Sequence, residues 1–182
     1  MKKITKKLLT VLLALCVALP LVPGKAQAAE PAAETADFTA ADGGAAALAL
    51  LNAAKTGEVD STWDGSTLTL NGVDFTTTAT TAVKLPAGTT VILTDGTYNQ
   101  IKGGDAVSAV DRSSDEKIYV YGIYAAGALT IDGAGTLSVT AGNHTNSGTA
   151  DTYSVGIYGT GDLIVKDGTT IATGGQVISE YY

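Results

Sequence analysis

The chain has 182 residues, in which 11 lysine and arginine residues stand against 18 aspartate and glutamate residues, so its formal net charge is −7. An acidic chain repels phosphate backbones and anionic lipid, which excludes nucleic acid as a partner. The one cysteine is Cys16. Beyond the N-terminal segment, disulfides, thiolate zinc sites and cysteine nucleophiles are therefore excluded.

The first 28 residues have the pattern of a secretory signal peptide. Four lysines precede an apolar run over residues 8–22, and the small-residue sequence AQA at 26–28 has the form that a signal peptidase cleaves. The run is too short to cross about 30 Å of hydrocarbon comfortably, which disfavours a retained membrane anchor. Export would leave Ala29 as the first residue, with six basic and 18 acidic residues and a net charge of −12.

Residues 29–40 are small, acidic and contain proline, which predicts a flexible lead-in. The alanine- and leucine-rich segment that follows predicts one helix over about residues 43–56, with Asp42 as its N-cap and Gly57 as its C-cap. Leu48 and Leu51 fall on one face of this helix, so we expect them to pack over the first strands, near Leu68 and Leu70.

From Trp63 onward, short runs of alternating β-branched and polar residues end in Asp-Gly or Asn-Gly pairs, which predicts short strands joined by tight turns. The sequence GIY occurs twice, at 122–124 and 156–158, each time followed by the same alternating apolar run. A repeat at an offset of about 34 residues indicates a parallel β-helix, in which like residues stack between successive turns. An antiparallel β-sandwich also uses short strands, but it gives no reason for a fixed offset.

Alignment of the two copies predicts which residues stack. The expected pairs are Ile123 with Ile157, Leu129 with Leu163 and Ile131 with Val165, after which the second copy loses one residue. A weaker earlier copy has Val83 in the place of Ile123 and Lys84 in the place of Tyr124. Each copy divides into three strands of about eight residues, and the polar residues 144–153 are expected to form an extruded loop.

The helix followed by TWDGSTLTLNGVDF, AVKLPAGTTVILTDG and GIYAAGALTIDGAGTLSV resembles bacterial surface proteins built on pectate-lyase-like right-handed β-helices, many of them labelled as carbohydrate-binding domains. The resemblance covers about residues 40–180. It implies an all-β, right-handed parallel β-helix domain over 41–182 with an N-terminal capping α-helix. It also implies a secreted or cell-wall-associated module for polysaccharide binding or adhesion, and it transfers no particular binding residues.

The sequence offers little catalytic chemistry, so we expect a non-catalytic module; a β-helix polysaccharide lyase or glycoside hydrolase, or a purely structural stalk segment, is the alternative. Arg112 lies among acidic residues that would form a loop-borne Ca²⁺ site (Asp105, Asp111, Asp115 and Glu116). Because Ca²⁺ needs six to eight converging oxygens, a solvated loop without a cofactor is the preferred interpretation. His144, the one histidine, lies in a polar segment that is unsuited to a serine–histidine triad.

Tyrosines provide the candidate ligand surface. If Ile123 and Ile157 point inward, alternation along each strand turns Tyr124 and Tyr158 outward, about 4.8 Å apart in successive turns. Such rings can pack on the apolar faces of sugars, and the neighbouring Asp162 can accept hydrogen bonds from sugar hydroxyls. The repeat also stops at TGGQVISEYY without a polar cap, so we expect further repeats to follow residue 182.

Overall fold

The computed structural model describes residues 34–110 and 117–179. In these residues there is one α-helix, α1 (Ala45–Ala53), and the rest of the regular structure is β. The first strands are β1 (Ala36–Asp37), β2 (Thr62–Trp63), β3 (Thr67–Leu70), β4 (Asp74–Thr76), β5 (Thr81–Leu85), β6 (Thr89–Leu93), β7 (Tyr98–Lys102) and β8 (Ala106–Ser108). They are followed by β9 (Ile118–Ala125), β10 (Leu129–Asp132), β11 (Thr136–Thr140), β12 (His144–Asn146), β13 (Thr152–Gly159), β14 (Leu163–Val165), β15 (Thr169–Thr173) and β16 (Val177–Ser179).

The strands form four separate sheets. Their strand orders are β1-β5-β9-β13, β14-β10-β6-β3-β2, β15-β11-β7-β4 and β16-β12-β8. Neighbouring strands are parallel in every sheet except at β2, which pairs antiparallel with β3. The observed class is thus mostly β with parallel sheets and one helix, and the antiparallel sandwich is wrong for the described residues.

Three consecutive groups of four strands each contribute one strand to every sheet. We call them repeat 1 (β5–β8), repeat 2 (β9–β12) and repeat 3 (β13–β16). Ile123 pairs with both Val83 and Ile157, and Leu129 pairs with Leu163, 34 positions later. Further on, the offset falls to 33 residues, with Thr136 opposite Thr169. The predicted register and its loss of one residue are confirmed.

The number of strands in each repeat was underestimated. The structure adds a fourth strand, β12 in repeat 2, and the residues after Asn146 lead into β13 instead of forming one extruded loop. His144 and Asn146 are fully buried. The Asn146 side chain can be buried because both of its polar atoms are hydrogen-bonded. Its oxygen accepts the Val110 and Gly148 N–H groups, and its amide nitrogen donates to the Val110 and Ala150 carbonyls.

One apolar cluster joins the first three sheets and the helix. In strands such as β3 and β10, alternate residues point into it, as in Leu68-Thr69-Leu70 and Leu129-Thr130-Ile131. The largest side chains buried in it are Leu51, Leu68, Leu70, Leu85, Leu93, Ile101, Ile123, Leu129, Ile131 and Leu137. The interior of the fourth sheet is polar by contrast, because it contains His144 and Asn146.

Helix α1 is shorter than the sequence predicts. Its N-cap position is Gly44, at φ 86°, and its C-cap is Ala54, so Gly57 lies beyond the helix. Asp42 still serves the first turn, since its carboxylate accepts the N–H groups of Gly44 and Ala46 at 3.0 and 2.8 Å. Leu51 is fully buried in the cluster that contains Leu68 and Leu70, whereas Leu48 is only partly buried. No helix among the described residues is long and apolar enough to span a membrane.

Repeat 3 differs from repeat 2 in burial, although its register is the same. Leu163 is 48% exposed and Val165 is 49% exposed, whereas their partners Leu129 and Ile131 are fully buried. Strands β14, β15 and β16 are each the terminal strand of their sheet. Among the described residues, nothing packs over them on the side away from repeat 2.

Candidate functional site: a tyrosine patch

Five tyrosine rings from strands β9 and β13 form one cluster, here called the tyrosine patch: Tyr119, Tyr121, Tyr124, Tyr153 and Tyr158. Tyr119 stacks on Tyr121, with ring centroids 5.5 Å apart and planes 9° apart, and on Tyr153, at 4.9 Å and 16°. Tyr124 stacks on Tyr158 at 6.0 Å and 19°. Tyr121 joins the two halves, with centroids 5.3 Å from Tyr124 and 5.4 Å from Tyr158.

Strand register explains two of these contacts. Tyr153 is the direct partner of Tyr119, and Tyr158 is the direct partner of Tyr124, in the parallel pair of β9 and β13. Neighbouring strands lie about 4.8 Å apart, so identical side chains at paired positions are brought to stacking distance. The predicted pairing of Tyr124 with Tyr158 is therefore confirmed as a contact, and Lys84 pairs with Tyr124 from the other side, as expected.

A change of phase within β9 brings the remaining rings together. Simple alternation would send Tyr121 and Tyr124, three positions apart, to opposite faces of the strand. Instead, both are only partly buried and their rings touch, while Val120 and Ile123 are buried. The change of phase occurs at Gly122. This is the residue of β9 between Tyr121 and Ile123 that has no paired residue in β13.

Glycine is required at this point because the backbone lies against the interior. A Cβ atom on Gly122 would come within 2.4 Å of Val139 Cγ1, and one on Gly156 would come within 2.6 Å of the Thr173 nitrogen. Any side chain at either position would force its neighbours apart. The GIY sequence is thus a corner: glycine against the core, isoleucine or its equivalent facing inward, and tyrosine on the outside.

The stacking limits which ring faces a ligand can reach. Parallel rings with centroids 4.9 Å apart overlap face to face, so the faces that Tyr119 and Tyr153 turn toward each other are occupied. Strand β13 is the terminal strand of its sheet. Tyr153 and Tyr158 are also the most exposed members of the patch, at 37% each. The accessible aromatic faces are those on the β13 side.

The central ring of the patch, Tyr121, has a hydroxyl that stays protonated at ordinary pH. Burial, with smaller contributions from Tyr119, Tyr158 and Tyr124, raises the pKa of the Tyr121 hydroxyl to about 12. That hydroxyl therefore remains a hydrogen-bond donor. The nearest charge in register is Lys84, whose ammonium lies 3.4 Å from the Asp37 carboxylate and is compensated by it.

Asp162 is not brought into the patch by any bond. It lies in the exposed turn between β13 and β14, where its main-chain carbonyl accepts the Leu129 N–H at 2.9 Å. Among the described residues, no hydrogen bond or ion pair links its carboxylate to the tyrosines. Its predicted part in ligand binding stays a prediction.

The suggested Ca²⁺ site lies mostly outside the described residues. Asp111, Arg112, Asp115 and Glu116 fall in 111–116, and only Asp105 is described. Asp105 is exposed, and its carboxylate accepts the Asn143 N–H at 2.7 Å. In residues 34–110 and 117–179 there is no group of three or more histidine, cysteine, aspartate or glutamate side chains suited to a metal ion. The Ca²⁺ hypothesis stays a prediction.

Comparison with known proteins identifies the family. The model of a family described as carbohydrate-binding domain-containing protein matches residues 52–177. The chain belongs to this family. Neither a search of curated proteins nor a search of solved structures found a match. The matched region contains all five tyrosines of the patch and all three repeats up to the first residue of β16.

One further cluster in this carbohydrate-binding family member resembles catalytic machinery. His144 Nε2 lies 3.0 Å from Ser108 Oγ, which in turn lies 3.1 Å from the Asn146 side-chain oxygen. That oxygen only accepts, so the serine proton points to Asn146 and His144 Nε2–H donates to the serine. Burial lowers the pKa of His144, whose Nδ1 has no partner among the described residues.

This direction of hydrogen bonding is opposite to that of an activated nucleophile, in which the histidine accepts the serine proton. His144 is also fully buried, so substrate has no access to it. The expectation that His144 lies in an exposed loop is wrong, because its side chain is fully buried. The Ser108–His144–Asn146 cluster is a hydrogen-bonded network with a buried histidine and asparagine and a partly buried serine.

Sequence reasoning identified two of the five patch members. Tyr119, Tyr121 and Tyr153 were missed, because strict alternation does not anticipate the phase change at Gly122. One signal was available: Tyr153 follows Tyr119 at the same 34-residue offset that relates Tyr158 to Tyr124.

Proposed function

We propose that this chain is a secreted, non-catalytic module that binds polysaccharide through the tyrosine patch. The observation that carries the proposal is the patch itself, with five tyrosine rings in contact on one surface and accessible faces at Tyr153 and Tyr158. Exposed aromatic clusters are uncommon on proteins that bind nothing, and aromatic faces pack well on the apolar faces of sugar rings. Membership of a carbohydrate-binding family supports this choice of ligand.

In the proposed mode of binding, a sugar ring stacks on the faces of Tyr153 and Tyr158 that point away from β9. Tyr124 and Tyr119 support these two rings from behind. Tyrosine hydroxyls donate to sugar oxygens, and Asp162, exposed four positions after Tyr158, accepts from sugar hydroxyls. The acidic chain, at −7 overall, disfavours polyanionic glycans, so neutral polysaccharides are the proposed ligands.

We also propose that the three repeats wind as a right-handed parallel β-helix of the pectate-lyase-like type. The support is that each repeat gives one strand to each sheet, in the same order and with parallel pairing. Such modules suit a cell-surface or cell-wall setting, in polysaccharide contact or adhesion.

The binding test compares Tyr153→Ala/Tyr158→Ala with wild type in affinity electrophoresis through gels that contain cellulose derivatives, xylan, glucomannan or pectate. We expect about thirtyfold weaker affinity for a neutral glycan that retards wild type, since two aromatic contacts are lost and each removes on the order of 1 kcal/mol. Tyr158→Phe should retain most of the retardation, because the ring is kept.

The matched control for this test is Thr130→Ala, a partly buried position on β10 in another sheet, which should behave as wild type. Equal retardation of the double variant and wild type on every neutral glycan would remove the patch as the site. An assay for new reducing ends and unsaturated products on the same glycans should give none; measurable turnover would favour the lyase or hydrolase alternative.

Export of the chain is tested by a separate measurement, the mass of the secreted protein. Intact-mass analysis of protein recovered from the culture medium should give the mass of a chain that begins at Ala29, as signal-peptide cleavage after residue 28 requires. Recovery of secreted chain with Met1 retained would contradict this part of the proposal.

A further inference from the structure

A concave groove lies beside the sheet formed by β4, β7, β11 and β15, a different sheet from that of the tyrosine patch. The groove has a volume of about 330 Å³. We call it the Tyr98 groove and define it by Thr56, Asn71, Asp74, Thr97, Tyr98 and Gln100, with Gly72 and Gly96 at its turns. Its volume is at the small end of the range for small-molecule sites, about 300–1,000 Å³.

The groove is concave because a segment of chain lies beside the edge strand. After α1 the chain runs antiparallel to residues 72–74, with Lys55 bridged to Val73. This wall is fixed by main-chain hydrogen bonds from Thr56 N–H to the Gly72 carbonyl at 2.7 Å and from Asp74 N–H to the Ala54 carbonyl at 2.8 Å. The opposite wall is the turn that carries Gly96, Thr97 and Tyr98.

The side chains of the groove combine one open aromatic ring with hydrogen-bonding groups. Tyr98 is 55% exposed, which makes it more exposed than any member of the tyrosine patch. Gln100 Nε2 donates to Asp74 Oδ1 at 3.1 Å, and this bond fixes an amide carbonyl and a carboxylate on the groove's surface. Asn71 adds a second amide, whereas the Thr97 hydroxyl is already engaged, because it donates to the Thr94 carbonyl at 2.6 Å and accepts from the Asn99 amide at 3.1 Å. An aromatic face beside amide and carboxylate oxygens matches the mixture of apolar C–H faces and hydroxyl groups of a pyranose.

The charges in the groove restrict the ligand further. Asp74 is the one charged residue in its lining, and the chain as a whole is acidic. An anionic sugar such as a uronate would meet this carboxylate without a cation to compensate it. The groove therefore favours an uncharged sugar.

We propose that the Tyr98 groove is a second saccharide site, which binds a single neutral pyranose unit of a glycan by stacking on Tyr98 and hydrogen bonding to Asp74, Gln100 and Asn71. The site rests on the carbohydrate-binding character of the family but not on the tyrosine patch, since the two surfaces belong to different sheets. Two separate sites on one chain allow one polysaccharide, or two, to be held at once, with a gain in avidity over either site alone.

Amide-resolved NMR titration of ¹⁵N-labelled protein tests the two sites separately. The probes are methyl β-D-glucopyranoside, methyl β-D-xylopyranoside and N-acetylglucosamine, with galacturonate as the charged comparison. At least one neutral probe is expected to shift the amides of Gly72, Gly96 and Thr97 in a saturable way, and galacturonate is expected to bind at least tenfold more weakly or not at all.

Tyr98→Ala should weaken this groove binding at least tenfold, whereas Tyr98→Phe should retain it because the ring remains. Tyr153→Ala/Tyr158→Ala should leave the ligand-induced shifts of the groove amides unchanged. This result would distinguish binding in the Tyr98 groove from binding at the tyrosine patch. Val107→Ala, at an 85% exposed position on β8, is the matched surface control. Absence of groove shifts with all three neutral probes, an unchanged titration in Tyr98→Ala, or tighter binding of galacturonate would each overturn the proposal.

Discussion

Gly122 and Asn146 are single residues on which local features of this fold depend. Gly122 lets the strand change phase so that Tyr121 and Tyr124 can meet on the same side, because its backbone lies too close to Val139 for any side chain. Asn146 replaces the hydrogen bonds that water would otherwise give to the main chain around Val110. Neither role is visible in hydrophobic patterning, since both residues also look like ordinary turn formers.

His144 makes stability depend on pH. Burial lowers its pKa in the folded state below the ordinary value near 6.5, so the unfolded chain takes up a proton at a pH where the folded chain does not. The stabilising effect of the neutral ring is complete above about pH 6.5 and is lost progressively as the pH falls from there through the folded-state pKa.

We therefore expect the free energy of unfolding, measured with urea at intervals between pH 7.5 and 5, to fall on the acidic side. His144→Gln removes the titrating group and should flatten this dependence, although it lowers stability overall by disturbing Ser108. Ser147→Ala, an exposed change in the same segment, is the control and should keep the wild-type slope. An equal slope in His144→Gln and wild type would show that other groups cause the pH dependence.

Among the elements, helix α1 is the one that interrupts the β pattern. It lies between β1 and β2, and its buried residues Ala47 and Leu51 belong to the same cluster as Leu68 and Leu70. Gly44 begins the helix at positive φ, where a Cβ would be 2.7 Å from Phe38 and 3.0 Å from Trp63. The chain therefore enters the helix through a junction held by Phe38 packing on Trp63, with centroids 5.0 Å apart.

Leu51→Ala tests whether the helix is held by packing. The side chain is fully buried, so the variant should lose about 2–5 kcal/mol of unfolding free energy in urea denaturation. Leu50→Ala, the same change one position earlier at a partly buried site, should cost clearly less. Losses of similar size, or a loss at Leu51 below 1 kcal/mol, would show that α1 is not docked as the structure has it.

The sequence predicts the pairing of the repeated apolar strands best, and it predicts strand β12 and the helix ends less well. The register of Leu129 with Leu163 followed from the repeated sequence, because identical residues that stack must be paired. Strand β12 could not be found in the same way, since HTN contains no apolar residue and its burial depends on partners in β8 and on the main chain. The helix ends were misplaced because Gly44, which stands before the alanines, begins the helix in place of Asp42.

For the molecule as a whole, the exposure of apolar residues is uneven. Repeat 2 lies between repeats 1 and 3 in all four sheets, so its strands are paired on both edges. Among the described residues, repeat 3 is paired on one edge only, and its inward positions Leu163 and Val165 are about half exposed. For this reason, the backbone amides of repeat 3 should be less protected against hydrogen exchange and local unfolding than those of repeat 2.

Hydrogen–deuterium exchange with peptide-level mass spectrometry measures this difference. In the 182-residue chain, peptides from β14–β16 should exchange at least tenfold faster than those from β10–β12. The reasons are that about half of the amides in each of these edge strands point away from repeat 2, where no described strand pairs with them, and that local opening exposes little new apolar surface. The experiment is repeated across a dilution series as the control for self-association. Equal protection of the two repeats at the lowest protein concentration would contradict this expectation.

The parallel pairing of the repeats also determines how the chain responds to mechanical force. Each repeat is joined to the next by hydrogen bonds that run from strand to strand. Paired residues are 33 or 34 positions apart in the chain at the boundary between repeats 2 and 3, and 38 or 40 positions apart at the boundary between repeats 1 and 2. Tension applied between a point in β5 and a point in β16 therefore pulls along these bonds and opens one boundary at a time. Each opened repeat would lengthen the chain by about 110–145 Å, at about 3.3–3.6 Å per residue. A module built in this way would yield in steps under tension, and the proposed glycan ligand of the tyrosine patch would be released when the pairing of β9 with β13 opens.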